Sequence, residues 1–275
     1  MRQTLRKIAS TLMLSSLALV PVAASAGGSV NILILKEHGV GSAASAQQYV
    51  DELMGHVARE NGWDAAAGKY MTSRLMAGSW ISGNNPHYGI MSLPAYLDLA
   101  GKHKLEVIGS AEVTGGGGRQ YFVVSASEGD LASCKGKTLG TDHADDSRFI
   151  DKVVGGSDFS LADFTVEDTR RPMKTVKAVA RGEVACALID DAQKARLAKA
   201  EGGDAVKVLW SSAKLPPMAI VAFPSAPGAE KKAFKSKLTA VCAGAGADSC
   251  KEVGLRKLEP ASDGDYATVS RAYGG

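Results

Sequence analysis

The chain has 275 residues, 45% apolar and 22% charged, values of a globular protein large enough for one large or two modest domains. A net charge of +3 excludes the strong overall basic field that nucleic-acid binding uses. Even that excess is local. Arg2, Arg6 and Lys7 precede the apolar run LMLSSLALVPVA, and Ala24-Ser25-Ala26 forms a small-residue cleavage site. This is the pattern of a secretory signal peptide, too short in its apolar part to be a membrane anchor. Cleavage after residue 26 lowers the 32 basic residues to 29, equal to the 29 acidic ones. The mature protein is thus expected to be exported and soluble, with no nucleic-acid partner.

After the leader, Val30 to Leu35 (VNILIL) is a continuous apolar run, suited to a strand buried on both faces. A helix is predicted from about Ala46 to Asn61, stopped by Gly62. Asp64 to Gly68 is a short second strand, and Met71 to Ile81 a second helix ended by SGNNP. Tyr88 to Ser92 is a strand, Pro94 suits the first turn of the next helix, and Leu105 to Val113 is a fourth strand. Strand and helix alternate, which implies a parallel sheet covered by helices. Four glycines (115 to 118) then interrupt the pattern before the strand YFVV, Tyr121 to Val124. No GxxxxGK[ST] motif surrounds them, so they are read as a connection between lobes.

The second half repeats the alternation. Strands are predicted at Thr138 to Thr141, Phe164 to Glu167, Ala185 to Ile189 and Val206 to Trp210. Helices follow at 145–154, 172–181 and 191–200. Pro216-Pro217 breaks the chain before the apolar strand MAIVAF, Met218 to Phe223. The chain from Gly228 onward is predicted helical, packed back on the first lobe. It would therefore pass between lobes twice, at YFVV and at MAIVAF.

All four cysteines follow the leader, and an even number in an exported protein favours disulfides. Cys242 and Cys250 enclose a short flexible loop. Cys134 and Cys186 flank strands whose ends coincide if the strands are neighbours. The expected pairs are 134–186 and 242–250; no CxxC pair supports metal ligation instead.

The stretch 130–149, DLASCKGKTLGTDHADDSRF, runs a strand into a helix start, which in open α/β sheets makes a ligand site. With YGIMSLPAYLDLAG, RQYFVVSASEGDLASCKGKTLGT, VKAVARGEVACALIDDAQKARL and PPMAIVAF, it resembles the type 2 periplasmic solute-binding proteins of ABC transporters, above all the phosphate/phosphite/phosphonate-binding group. The resemblance covers nearly the whole mature chain. It implies an α/β, two-lobed periplasmic binding protein fold, each lobe a mainly parallel sheet flanked by helices, with two crossover strands at the hinge. Residues 1–26 would be the cleaved leader, 27–120 plus 224–275 lobe 1, and 121–223 lobe 2. The implied function is capture of a small, phosphonate-like solute between the lobes and delivery to an inner-membrane permease, by a monomer without cofactor.

Ligand contacts would come from loops after strands in both lobes. The residues so placed are His38, Tyr70, Ser92, Asp142, His143, Asp145, Ser147, Asp190 and Asp191. Relatives usually offer a hydroxyl-rich helix start where this chain has Asp142-His143-Ala144-Asp145-Asp146-Ser147. Carboxylates there suit the helix dipole, with Asp145 as N-cap and Asp146 in the first turn, but repel an anion. Two alternatives follow. One is a cationic or metal ligand, with His38, His143 and Asp142 as ligating groups. The other is an apolar, lipid-like ligand among Tyr70, Met71, Met76, Trp80 and Trp210. A remote alternative is an enzyme with His143 and Asp142 as its base. The absence of GxSxG, HExxH and P-loop motifs argues for a binder rather than an enzyme.

Overall fold

The computed structural model describes residues 29–37, 43–114 and 117–274. The elements, in order, are β1 (Ser29–Leu35), α1 (Ala43–Asn61), β2 (Ala65–Met71), α2 (Arg74–Asn84), β3 (Tyr88–Met91), α3 (Leu93–His103), β4 (Glu106–Val113), β5 (Tyr121–Ser125), α4 (Leu131–Cys134), β6 (Thr138–Thr141), α5 (Ser147–Phe149), β7 (Thr165–Asp168), α6 (Pro172–Ala180), β8 (Cys186–Asp190), α7 (Asp191–Leu197), β9 (Lys207–Ser211), β10 (Met218–Ala222), α8 (Gly228–Val241), α9 (Ala247–Glu252), β11 (Leu255–Pro260) and α10 (Asp263–Gly274). The predicted leader and His38 lie outside the described residues.

Two sheets result. The first has strand order β11-β4-β10-β3-β1-β2, the second β7-β6-β8-β5-β9. The apolar runs take the central places: β3, β5, β8 and β10 are buried at every residue, whereas the edge strand β7 is exposed throughout. In the first sheet β2 and β3 pair parallel with β1, and β10 lies antiparallel between β3 and β4. In the second, β6 pairs parallel with β7 and β8, while β5 is antiparallel to β8 and β9. The strands of the βα repeats share a direction as expected. The neighbour pairs are nevertheless mixed: β5 and β10, which follow the two passages, run opposite to their neighbours, and β11 pairs antiparallel with β4.

Three boundaries differ from expectation. β10 belongs to the first sheet, so the second passage between sheets lies at 212–217, upstream of the expected boundary at 223. Residues 255–260 form an edge strand, although Leu255 and Leu258 are spaced like a helical pair. A register shift between Leu255 and Lys257 puts both leucines on the buried side. The predicted helix 145–154 is wound in three ways: a 3₁₀ turn at Ala144–Asp146, then α5, then a π turn at Ile150–Gly155. Asp146, not Asp145, caps α5: its backbone is non-helical (φ −126°, ψ 71°) and its side chain accepts from Phe149 N.

The first sheet is covered on one face by α1, α8 and α9. There Trp63, Tyr88 and Phe234 pack with ring centroids 4.7–5.8 Å apart. On the other face α2, α3 and α10 join a core that continues into the second lobe through Phe149, Ile150 and Tyr273. α6 and α7 cover the far face of the second sheet. Both expected disulfides form, Cys134–Cys186 joining the start of the second lobe to β8 and Cys242–Cys250 closing the turn after α8.

Candidate functional site

The carboxyl ends of β1, β3, β6 and β8 converge on a cavity of about 580 Å³ between the sheets. β1 delivers Lys36 and Glu37, β3 delivers Ser92, β6 delivers Asp142 and His143, and β8 delivers Asp190. Backbone bonds fix the first-lobe loops: Lys36 N donates to Met71 O (3.0 Å) and Ser92 N to Leu35 O (2.9 Å). Of the residues expected at the site, Ser92, Asp142, His143 and Asp190 line the cavity. Tyr70 is instead buried against the α1 face of the first sheet. Asp145 and Ser147 are exposed, and neither they nor Asp191 line the cavity.

The cavity's carboxylates are engaged by donors of the protein itself. Asp142 Oδ1 accepts from Gln193 Nε2 (2.7 Å) and Thr175 Oγ1 (3.0 Å). Because an ionised carboxylate only accepts, the Gln193 amide must direct its nitrogen there. Its Oε1 therefore faces His143 Nε2 (3.3 Å), which carries the proton of that contact. Asp190 Oδ1 accepts from Gln193 N (2.8 Å) and Asp190 N donates to Gln193 Oε1 (2.9 Å), a capping box at the start of α7. Asp190 Oδ2 accepts from Gly118 N (3.1 Å). Asp191 Oδ1 accepts from Gly117 N (3.2 Å) and Arg119 N (3.1 Å). The acidic pair that suggested ligand contacts thus holds the first passage between lobes. There Gly117 and Gly118 have φ of +131° and +69°, a region that favours glycine.

Glu37 is likewise engaged. Arg74 reaches it through Nε (3.1 Å) and Nη2 (2.8 Å), and Ser92 Oγ donates to Oε2 (3.2 Å). Burial raises the Asp190 carboxyl above the usual range, partly opposed by His143. Burial also lowers the Lys36 ammonium, against the attraction of Asp190. The Tyr121 hydroxyl is pushed well up, by burial first and then by the surrounding carboxylates.

The cations tell a different story. Lys36, Arg119, Arg196, Lys199 and Lys251 line the cavity alongside Glu37, Asp142 and Asp190. Among the described residues, Lys36, Arg196, Lys199 and Lys251 form no ion pair, whereas Arg119 lies 4.0 Å from Glu112. Sequence reasoning missed these bases because they come from four separated segments. Gln193 was legible, as the fourth residue of the capping pattern Asp190-Asp191-Ala192-Gln193.

The alternatives gain little. Met76 is exposed, Trp210 packs on Phe159 in the second lobe, and Tyr70 and Met71 belong to different core faces, so no apolar pocket gathers them. Among the described residues, no group of three or more His, Cys, Asp or Glu side chains is placed to hold a metal. All four cysteines are in disulfides, so no thiol nucleophile stands beside His143.

Residues 150–266 match the family model described as ABC transporter, phosphonate, periplasmic substrate-binding protein. No curated protein matches the chain in sequence. Solved structures share its fold. A Xanthomonas citri protein bound to chloride ion superposes with a TM-score of 0.69 at 11% identity, over 90% of this chain and 97% of that one. PhnD1 from Prochlorococcus marinus in complex with methylphosphonate gives 0.64 at 8% identity, over 88% and 96%. A binding protein component of an ABC phosphonate transporter from Pseudomonas aeruginosa gives 0.62 at 12% identity, over 89% and 85%. At these identities the likeness is one of fold: two lobes of mixed α/β sheet with the cleft between them.

Proposed function

We propose that this chain, a two-lobed periplasmic binding protein matching the phosphonate-binding family over residues 150–266, captures a small phosphonate- or sulfonate-like anion in its cleft and passes it to an inner-membrane permease. The observation that carries this reading is the balance of engaged and available charge. Asp142, Asp190 and Glu37 are held by donors of the protein, while Lys36, Arg196, Lys199 and Lys251 face the cavity without an ion-pair partner among the described residues. Five cationic side chains line the cavity against three carboxylates, so the acids read from sequence as repelling an anion do not set its overall charge. An oxyanion entering the cleft meets Lys36, Arg196, Lys199 and Lys251.

The same arrangement argues against an enzyme. His143 Nε2 is committed to Gln193, and no cysteine thiol partners it. Among the described residues no helix is long and apolar enough to cross a membrane; the leader, in this reading, is removed after residue 26. We read residues 27–120 with the chain beyond the second passage as lobe 1, and the intervening segment as lobe 2. The protein would act as a monomer, without cofactor or nucleic acid.

Thermal unfolding in the presence of methylphosphonate, ethanesulfonate, inorganic phosphate, ethanolamine or zinc tests the assignment. A ligand present at one hundred times its Kd adds about 2.7 kcal/mol of stability. One of the three oxyanions should raise Tm accordingly. Stabilisation by ethanolamine or zinc with none by any oxyanion would overturn it.

A further inference from the structure

We infer that Arg74 and Asp146 form a latch between the lobes that populates the closed cleft before any solute arrives. Arg74 opens α2 in the first lobe, directly after the N-cap Ser73. Asp146 caps α5 in the second lobe, accepting from Phe149 N with Oδ1 and from Arg74 Nη1 with Oδ2 (2.6 Å). The other edge of the guanidinium forks onto Glu37 in the cavity wall. Arg74, Glu37 and Asp146 side chains are 18%, 6% and 10% exposed. Burial disfavours the Arg74 charge, yet Glu37 and then Asp146 outweigh it and raise its pKa further. Among the described residues it is the shorter and more buried of two ion pairs between the lobes, the other being Arg119 with Glu112 at 4.0 Å.

A second observation points the same way. Residues 144–155 pass through 3₁₀, α and π winding within twelve positions. Such changes of winding mark segments shaped by contacts beyond the helix itself. Here the outside contact is the first lobe. Beyond Asp146, the Arg148 guanidinium lies over the Tyr273 ring at 4.8 Å, and the π turn packs on α10. The segment thus follows directly on Asp142 and His143 at the cleft and meets the first lobe through Asp146, Arg148 and the π turn. Arg74 is a positioning residue: it orients Glu37 in the cavity wall and ties it to the lobe that must close over the solute. Occupation of the cleft and closure of the latch then bias the same element, as population shift requires.

The test needs no solute, so it stands even if the proposed ligand class fails. Ser82→Cys and Lys174→Cys place spin labels on exposed positions of α2 and α6, in a chain whose described cysteines are all paired. Pulsed electron resonance of the ligand-free protein should show a dominant short inter-lobe distance. Asp146→Asn keeps an oxygen for the Phe149 cap and removes the charge facing Arg74. It should raise the open-to-closed ratio about tenfold, within the usual range of coupling between sites. Asp146→Glu should restore the short distance, and Arg74→Gln added to Asp146→Asn should open the lobes no further. A wild type already open without ligand overturns the latch on its own, whether or not the variants fold. So does an Asp146→Asn distribution identical to wild type.

Discussion

Asp191 is the residue at which ligand contact and hinge anchoring predict opposite outcomes. Asp191→Ala removes the acceptor of Gly117 N and Arg119 N, 3.2 and 3.1 Å from its Oδ1. Hydrogen bonds to a charged group contribute about 1.5–3 kcal/mol each. Asp191 is half-buried and one oxygen serves both donors, so about 2 kcal/mol is expected for the pair rather than the sum. For a chain of this size that lowers Tm by about 4–8 °C. Asp191→Asn retains a carbonyl oxygen in the same place and should cost less than half as much. Calorimetric unfolding measures both variants, and titration with the anion that stabilises the wild type measures binding. An anchor gives a Tm series wild type, Asn, Ala in falling order, with Asn binding almost as wild type. A ligand contact gives the reverse: unchanged Tm for both variants and lost affinity already in Asn. That second outcome would refute the anchoring role.

Other expectations follow from the fold. Opening the Cys134–Cys186 bridge frees a loop of 52 residues and should cost about 4 kcal/mol by chain entropy, against about 2.5 kcal/mol for the 8-residue Cys242–Cys250 loop. Guanidinium unfolding of the two double-alanine variants ranks them, and a costlier short loop would contradict the ranking. Gly109→Ala places a methyl 2.3 Å from Leu238 Cδ1 and 2.7 Å from the Glu259 carbonyl, an overpacking of about 1–3 kcal/mol. Gly101→Ala, in α3 with open space around it, should instead stabilise by about 0.5–1 kcal/mol; equal signs in the two unfolding curves would sink the packing argument. Burial lowers the Lys36 pKa below the usual lysine range, and the charged form is the one that attracts an anion. Anion affinity should therefore fall as pH rises through that lowered value, and Lys36→Arg should flatten the alkaline limb of the titration. A limb unchanged in Lys36→Arg excludes Lys36 as its source.

What could be read from sequence divides along physical lines. Ile32 to Leu35 and YFVV are continuous apolar runs because those strand residues are buried on both faces. Pro94 and Pro172 mark helix starts because a first-turn residue needs no N–H partner. These signals are local. The place of β10 between β3 and β4 is not, since its partners lie more than a hundred residues upstream. Nor is β11, whose leucine spacing imitates a helix until a bulge realigns it. The site follows the same rule. Asp142 and His143 were found because a strand end before a helix start is legible in one stretch. Lys199 and Lys251, on opposite sides of the cleft, share no local pattern. The acids misled for a further reason: a sequence shows a carboxylate's charge but not the donor that already holds it.

That engagement also constrains how the lobes can move. The two passages are stitched to each other. Ser212 N donates to Tyr121 O (2.9 Å), Leu215 N to Arg119 O (2.8 Å), and Arg119 Nε to Leu215 O (2.7 Å). Gly117, Gly118 and Arg119 are held in turn by Asp190 and Asp191 at the start of α7. Residues 117–121 and 212–215 therefore belong mechanically to the second lobe, and the bend must lie on the first-lobe side of them. On one passage Thr114, whose N–H donates to Gly254 O (2.9 Å), still belongs to the first lobe; on the other, Pro216-Pro217 follow, where two successive φ angles are fixed by their rings. In the proposed closure the loops carrying Asp142, His143, Asp146 and Asp190 would move as one block toward Lys36, Glu37 and Arg74. The carboxylates that looked like ligand groups make that block rigid, and the cations of both lobes are what its closure brings together.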